Sequence, residues 1–508
     1  MKIMNWVANQ LGYTAKASPR RQGLMRRTYN AADTSDRFAD WVTGALGPNE
    51  DLRTSLRRLR ARSRDLAMNN DYMKKYLRMV FTNVIGPTGI KMQMKIENSP
   101  GVLDLKANRQ VEQAWEEWGR VPTCSVTRDL SFIDIQRLAV QSVARDGEVL
   151  IRKVRGFDNP YRFALQLIEA DHLDETHHTD LANGNRIRMG VETDEWGAPV
   201  AYHLRESHPG DTSATLRRQQ VNRVPADEII HLYIKERIGQ VRGVPWAAST
   251  MIRLKMIGGY EEAELTGARA AASKMGFFEH EEGAAGYTGD DTDAEGNLIE
   301  EFEPGVMRDL PVGVKFKPFD PGNPSRNFKD FMKAMLRGAA SGLNVAYNTL
   351  ANDLEGVNFS SIRSGVLEER ENWRALHWWV MQHFHWNVFP EWLTFALVTA
   401  QVNLPMAKFE KFNRPLWQPR GWAWVDPKKD IETNKIALDN KLTSWSAIVA
   451  EQGKDMEDVW RQRIADEKMA AQMGIDLTPP APTPPRPITE DDLEDDDNEN
   501  SGNSGNQN

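Results

Sequence analysis

A single cysteine, Cys124, stands among 508 residues. One thiol forms no internal disulfide, so a stapled secreted scaffold is excluded and a cysteine-based zinc site lacks its ligands. Long apolar runs are missing as well. The most apolar stretch, residues 375–407, carries one acid, Glu391, but His377, His383, His385, Asn387, Pro390, Gln401, Asn403 and Pro405 interrupt it. It lacks the roughly 18 consecutive apolar residues of a membrane span and reads as buried helices and turns, so no membrane partner is expected. Residues 1–12 mix apolar and polar side chains ahead of basic ones, which is not a secretory pattern, and synthesis in the cytoplasm is the expectation. The common catalytic signatures are absent too: no Gly-x-x-x-x-Gly-Lys-Ser/Thr phosphate loop, no Gly-x-Ser-x-Gly elbow, no His-Glu-x-x-His, no dinucleotide fingerprint. Without a phosphate loop the chain is not expected to hydrolyse ATP, and no cofactor or metal is called for.

What is present is length and polarised charge. A chain of this size divides into about three packing units. The net charge of -8 is carried by residues 476–508, where nine acids face one arginine, so the rest of the chain is neutral. Within that neutral body the first 64 residues hold thirteen Lys/Arg against five acids, and residues 276–320 hold twelve acids against three bases. The basic arm suits a polyanion or a solvated terminus. From Thr478 onward the sequence is Pro-rich, then acidic, then Ser, Gly, Asn and Gln, a composition that buries too little apolar surface to order itself.

Helical periodicity opens the structured part. Leu52, Leu56, Leu59, Ser63 and Leu66 recur every three or four residues with Arg53, Arg57, Arg58, Arg60, Arg62 and Arg64 between them, predicting one amphipathic helix with a basic outer surface. Further helices are predicted around Met73 to Val84, around Val111, Trp115 and Trp118, and after Ser131-x-x-Asp134, a capping-box variant. From Asp146-Gly147 the period becomes that of strands: Val149–Arg155, Phe163–Glu169, Ile187–Thr193, Val200–Arg205 and Ile229–Ile234 predict one antiparallel sheet in a mixed α+β unit. A long helix follows to about Lys274, rich in Gly and Ala, which permit close approach of neighbouring helices.

After short strands around an acidic Gly- and Asp-rich loop, a second helix places Arg326, Lys329, Lys333 and Arg337 on one face, with Phe328, Phe331, Met332, Met335 and Leu336 on the other. Two readings of that stripe stand open, a solvated face or a surface toward a polyanion. Residues 344–360 are polar and predict a loop; a helix spans Ile362–Val388, and two more lie around Ile431–Ala450 and Met456–Met473. His377, His383 and His385 share an aromatic-rich helix without converging carboxylates, so they read as packed or hydrogen-bonded rather than metal-ligating. Asp290, Asp291, Asp293 and Glu295 lack the glycine and distal glutamate of a calcium loop.

Several runs carry a family resemblance in chain order: Leu59-Arg60-Ala61-Arg62-Ser63-Arg64-Asp65-Leu66 with Asn69-Asn70; Asn83-Val84-Ile85-Gly86; Arg145-Asp146-Gly147-Glu148-Val149; Leu165 to Asp171; Gly190-Val191-Glu192 with Ala201-Tyr202-His203-Leu204; and Arg223-Val224-Pro225-Ala226 with Ile230-His231. The most specific is Gly239-Gln240-Val241-Arg242-Gly243-Val244-Pro245, followed by Tyr260-Glu261-Glu262-Ala263-Glu264-Leu265. Together these resemble the lambda-type family of bacteriophage portal proteins over about residues 50–420.

The resemblance implies an α+β protomer with an α/β wing, a two-helix stem, a small α/β clip and a helical crown, assembling into a ring, typically a homododecamer, at one capsid vertex. Mapped on this chain, residues 1–50 would be a basic, partly disordered arm, 51–245 and 359–429 the wing, 246–275 and 326–343 the stem helices, 276–325 the clip, 344–358 a tunnel loop, 430–475 the crown and 476–508 a disordered acidic tail. Arg326, Lys329, Lys333 and Arg337 would line the DNA channel, and Asn348, Asn352, Asp353, Glu355 and Asn358 would belong to the tunnel loop. Glu279, Glu281, Glu282, Asp290, Asp291, Glu300 and Glu301 would form the docking face of the clip. Implied partners are double-stranded DNA without sequence specificity, the terminase large subunit, major capsid and scaffold proteins, and head-tail connector proteins. The implied location is the virion, after assembly in a bacterial host cytoplasm. Two other classes remain open from the residues alone: a nuclease or capsid-maturation protease, and a DNA-binding or scaffold protein that is not a pore.

Overall fold

The computed structural model describes residues 44–211, 220–272, 276–280, 314–318, 327–355, 359–422 and 427–475. Its architecture is mixed α+β. Three helices come first, α1 (Pro48–Arg53), α2 (Leu56–Asn69) and α3 (Asp71–Val84). The single basic helix predicted from Leu52 onward is thus broken at Thr54-Ser55, where Pro48 fixes a separate short first turn. Asn70 ends α2 and caps α3, its Oδ1 accepting from Met73 N at 3.0 Å. Strands β1 (Lys91–Met94), β2 (Glu97–Ser99) and β3 (Val102–Leu103) lead to helices α4 (Leu105–Trp118) and α5 (Phe132–Asp146). The Ser131/Asp134 capping box forms in full, and α5 stops at Gly147 in the left-handed region, φ 92°.

The strand region holds β4 (Glu148–Arg155), β5 (Phe163–Ile168), β6 (Thr179–Asp180), β7 (Arg186–Arg188), β8 (Val191–Thr193), β9 (Pro199–Arg205), β10 (Val221–Pro225) and β11 (Ile229–Tyr233). These form two antiparallel sheets rather than the one expected, in orders β11-β4-β5 and β10-β9-β8-β7-β6. Residues 187–193 are not one strand but the two arms of a hairpin, turned at Met189 and Gly190, both with positive φ. Alternation marks strands but leaves their partners open, because pairing depends on register between distant segments.

Helix α6 (Met251–Ala272) and the antiparallel pair β12 (Gly276–His280) and β13 (Val314–Pro318) precede α7 (Phe328–Gly342). Residues 344–360, expected as loop, contain a short helix α8 (Tyr347–Ala351) held by Leu350, which is 2% exposed. Helix α9 (Phe359–Val380) runs through a π-type turn at Met381–His385 into α10 (Trp386–Val398), past Pro390. Strand β14 (Pro415–Gln418) pairs with β1, and α11 (Pro427–Asp439), α12 (Trp445–Glu451) and α13 (Met456–Met473) close the described chain, three helices where two were expected.

One large core joins α2 to α5, the first sheet and the α9–α10 arm. Trp115 is its centre, with ring centroids of Trp118, Phe132, Phe389, Trp392 and Trp417 at 4.9 to 5.7 Å. Such tilted and edge-on aromatic packing adds about 0.5–1.5 kcal/mol per pair beyond area burial. A smaller core lies between the two sheets around Leu150, Tyr202 and Val224, and a third, of Ile257, Met332 and Leu336, holds α6 against α7. No helix among the described residues is long and apolar enough to cross a membrane.

Candidate nucleic-acid interface

Helix α7 buries Met332 and Leu336 against Ile257 of α6, while Tyr260 lies over Phe328 and Phe331. That packing fixes which face of α7 remains outside. Lys329 and Arg337 are exposed and Lys333 is partly so, as the three-four spacing predicts. Phe331, expected on the buried side, is 44% exposed. Small residues in α7 admit α6: a Cβ at Gly338 would lie 2.0 Å from Arg253 Nη1, and one at Gly342 would lie 2.0 Å from Thr250 Oγ1.

The cations of the stripe are not left to solvent. Lys329 Nζ is 2.5 Å from Glu355 Oε2, Lys333 Nζ is 3.3 Å from Asp353 Oδ2, and the Arg337 guanidinium lies over the Tyr347 ring at 5.5 Å. Tyr347 Oη donates to Asp353 Oδ2 at 2.7 Å, and Lys75 Nζ donates to Asn352 Oδ1 at 2.7 Å. The tyrosine hydroxyl, the Glu355 N–H and Lys333 hold the Asp353 carboxyl down at about 2. Glu355 beside it raises the Lys329 ammonium. Two groups singled out separately in the sequence, the described cations of α7 and the segment after them, are therefore one electrostatic unit. Asn348 is half-buried and lines a cavity with Lys75 and Asn352. Arg326, Asn358, Glu281, Glu282, Asp290, Asp291, Glu300 and Glu301 lie outside the described residues, and Glu279 is placed only as a member of β12.

A second charge cluster, not apparent from the sequence, is buried between α2, β4 and β11. Glu148, at the start of β4, has a fully buried side chain. It accepts from Arg60 Nη1 (3.0 Å), from Arg242 Nη2 (2.6 Å) and Nε (2.8 Å), from Gly243 N (2.9 Å) and from His231 Nε2 (3.0 Å). Burial pushes this carboxyl up, but Arg242 and His231 outweigh it and hold the group well below its ordinary value. Burial lowers His231, while Glu148 beside it pulls the other way, and their contact makes Nε2 the donor. Arg242 also donates to the carbonyls of Met189 and Ala170, and Arg60 to Glu175. Arg64 bridges Asp146 at 2.8 Å and Asp171 at 2.6 Å.

Arg60 and Arg64 thus correct the expected all-basic outer surface of α2. Arg60 is 1% exposed because it falls four residues after Leu56 and three before Ser63, on the buried face, and that spacing was the available signal. Beside the cluster, a Cβ at Gly243 would lie 2.0 Å from Gly147 O, so the two glycine-bearing runs meet backbone to backbone.

Of the three histidines expected to be packed or bonded, two are: His377 Nε2 contacts Asn83 O at 2.9 Å and His385 Nδ1 contacts Val380 O at 3.4 Å, whereas His383 is exposed, its ring 6.2 Å from that of Trp379. Burial drops His377 and His385 to about 4 and about 3. Glu169, Asp171 and His208 bring ligand atoms within 4.8 Å of one another, but the Arg64 guanidinium already stands among them. A fully paired carboxylate such as Glu148 has no lone pair free for base chemistry.

Paired charges on a helical hairpin and a locked ionic core describe a structural subunit. The sequence model of the family described as "Phage portal protein, lambda family" matches residues 34–377. A protein named "Probable portal protein" from Halomonas phage phiHAP-1 is 37% identical over 461 residues, covering 90% of this chain and 89% of its own. Portal protein B of Escherichia phage lambda is 22% identical, with 87% of each chain covered. Among solved structures, the neck of an empty gene transfer agent particle covers 87% of this chain and 99% of its own at 13% identity and a TM-score of 0.41. The chain belongs to the lambda family of phage portal proteins, structural components of the virion rather than enzymes.

Proposed function

We propose that the chain closes into a homo-oligomeric ring, of the dodecameric kind, at one vertex of the capsid. Double-stranded DNA passes through the bore during packaging and ejection and is retained between them, with ATP hydrolysis supplied by a separate terminase. The single observation that carries this reading is the outer face of α6. Ile252 and Met256 are 69% and 70% exposed, and Gly259 and Ala263 continue the same face at helical spacing with open space around Gly259. An apolar stripe with small residues calls for another helix packed closely against it. On α13, Trp460 and Ile464, one helical turn apart, are exposed as well, on a helix with only Ala470 buried.

In this reading α6 and α7 are the stem, 276–325 the clip, 344–358 the tunnel loop, 51–245 and 359–429 the wing, and 430–475 the crown. The α7 face of Lys329, Lys333 and Arg337 lines the bore. With Asp330, Asp353 and Glu355 beside those three cations the wall is close to neutral. Near-neutrality suits transport, because each phosphate neutralised by a free cation adds a salt-dependent increment of affinity that holds DNA in place. The acidic clip, including Glu279, meets the terminase large subunit and later the connector proteins, and the wing meets capsid and scaffold proteins.

Native mass spectrometry of the full-length protein, with negative-stain images of the same sample, tests the ring. A closed multimer with a central hole is the expected result, and Met256→Asp should shift it toward smaller species. A stable monomer or dimer at every salt concentration, binding duplex DNA in a salt-sensitive way, would replace the channel with a non-pore DNA-binding or scaffold protein.

A further inference from the structure

The pairing between α7 and the segment that follows it bears on how DNA meets the wall. Resting on the channel reading above, we propose that Asp353 and Glu355 are built-in stand-ins for DNA phosphate: they occupy Lys333 and Lys329 when the bore is empty, and a phosphate takes either lysine only by displacing its carboxylate.

The geometry gives the two pairs the properties of an exchangeable contact. Lys329 and Glu355 are both about two-thirds exposed, at 68% and 67%, and Lys333 and Asp353 are 27% and 21% exposed, so water and a mobile anion reach all four. Exposed pairs hold weakly and yield to competing charge. The segment carrying the acids has one firm anchor at its start. Leu350 is in the core, Asn352 then turns the chain in the left-handed region at φ 54°, and the next apolar side chain, Leu354, is 68% exposed.

Behind the segment lies a cavity of about 300 Å³ lined by Lys75, Ala346, Asn348, Thr349, Asn352 and Leu354, which leaves room for residues 352–355 to shift. Lys329 and Lys333 stand one helical turn apart, about 6 Å along the axis. Duplex DNA offers one phosphate per strand about every 3.4 Å of axis, so a single strand supplies anions for both lysines at once. The two acids would exchange in order of exposure. Glu355 yields first, whereas Asp353 is also held by the Tyr347 hydroxyl and by the Glu355 N–H at 3.0 Å.

The test uses the full-length assembled protein and a short fluorescein-labelled duplex, with anisotropy read over a series of salt concentrations. Asp353→Asn/Glu355→Gln should bind about tenfold more tightly at low salt, with the slope of log K against log salt steeper by about 2. Adding Lys329→Gln/Lys333→Gln to that variant should cancel the gain. Glu355→Gln alone, at a site too exposed to affect folding, should give a smaller gain of the same sign. Unchanged affinity and slope in Asp353→Asn/Glu355→Gln, alongside weaker binding by Lys329→Gln/Lys333→Gln, would overturn the exchange while leaving the channel surface in place. A gain that survives loss of both lysines would overturn it as a general charge effect. No response to either pair of substitutions would overturn both the exchange and the assignment of this face to DNA.

Discussion

The Glu148 cluster and the α7 face both hold arginine or lysine against carboxylate, yet in opposite surroundings. Around Glu148 the acid accepts from two guanidiniums, a backbone N–H and an imidazole, all out of solvent, so each partner is fixed by the others. On α7 Lys329 meets Glu355 in water, and Lys333 meets Asp353, which is partly exposed and also accepts from the Tyr347 hydroxyl and the Glu355 N–H. Burial decides the difference. A buried pair is costly to break because it leaves an uncompensated charge, whereas an exposed pair exchanges with ions at little cost. The Glu148 cluster therefore joins α2, β4, β11 and the Arg242-Gly243 turn as a buried rivet, whereas the α7 pairs are the ones that the exchange proposed above would re-partner.

The strongest way to break this contrast is Glu148→Gln. It leaves the Arg242 guanidinium in the core without a carboxylate and takes one of Arg60's acids away, Glu175 and Asp171 remaining, and a loss of about 3–5 kcal/mol is expected in denaturant unfolding followed by circular dichroism. A loss below about 1 kcal/mol would place the cluster with ordinary surface pairs. Next is Gly243→Ala, whose Cβ meets the Gly147 carbonyl. About 2–3 kcal/mol of destabilisation is expected from overpacking, and a neutral result would mean that the two turns are not in backbone contact.

His377 sharpens the comparison as a buried titratable group with no acidic partner. Its folded value of about 4 lies below the ordinary histidine value, so between the two the unfolded chain binds more protons and stability falls as pH falls. Lowering pH from about 7.5 to about 5.5 should cost the wild type roughly 1–2 kcal/mol more than His377→Gln. Equal losses would show that this imidazole is protonated in the fold. The smallest effect belongs to the Lys329–Glu355 pair beside α7. Glu355→Gln should leave the melting temperature unchanged within error, and a clear drop would make that pair structural rather than exchangeable.

Much of the α7 face was legible in the sequence, and much of the Glu148 cluster was not. Three-four spacing put Lys329, Lys333 and Arg337 on one side of α7 because that geometry is local to the helix. The return of Asp353 and Glu355 onto the same face depends on the path through α8, which no spacing encodes. Strands were visible by alternation, but their division into two sheets rests on long-range register. Arg60 shows why the rivet escaped notice: six arginines in a row of helical turns read as a solvated face, and only partners 88 and more residues away reveal that one of them is in the core. The family runs around Arg60, His231 and Arg242 are scattered in sequence and converge on the one carboxylate of Glu148, and that around Ala170 supplies a carbonyl to Arg242.

A cryo-EM reconstruction of the assembled full-length protein tests the central claim most directly. The account predicts a closed ring with Ile252 and Met256 of α6 buried between neighbouring copies and Lys329 and Lys333 of α7 facing a central bore. An assembly in which the α6 stripe stays in solvent, or in which the α7 lysines face outward from the ring, would contradict it.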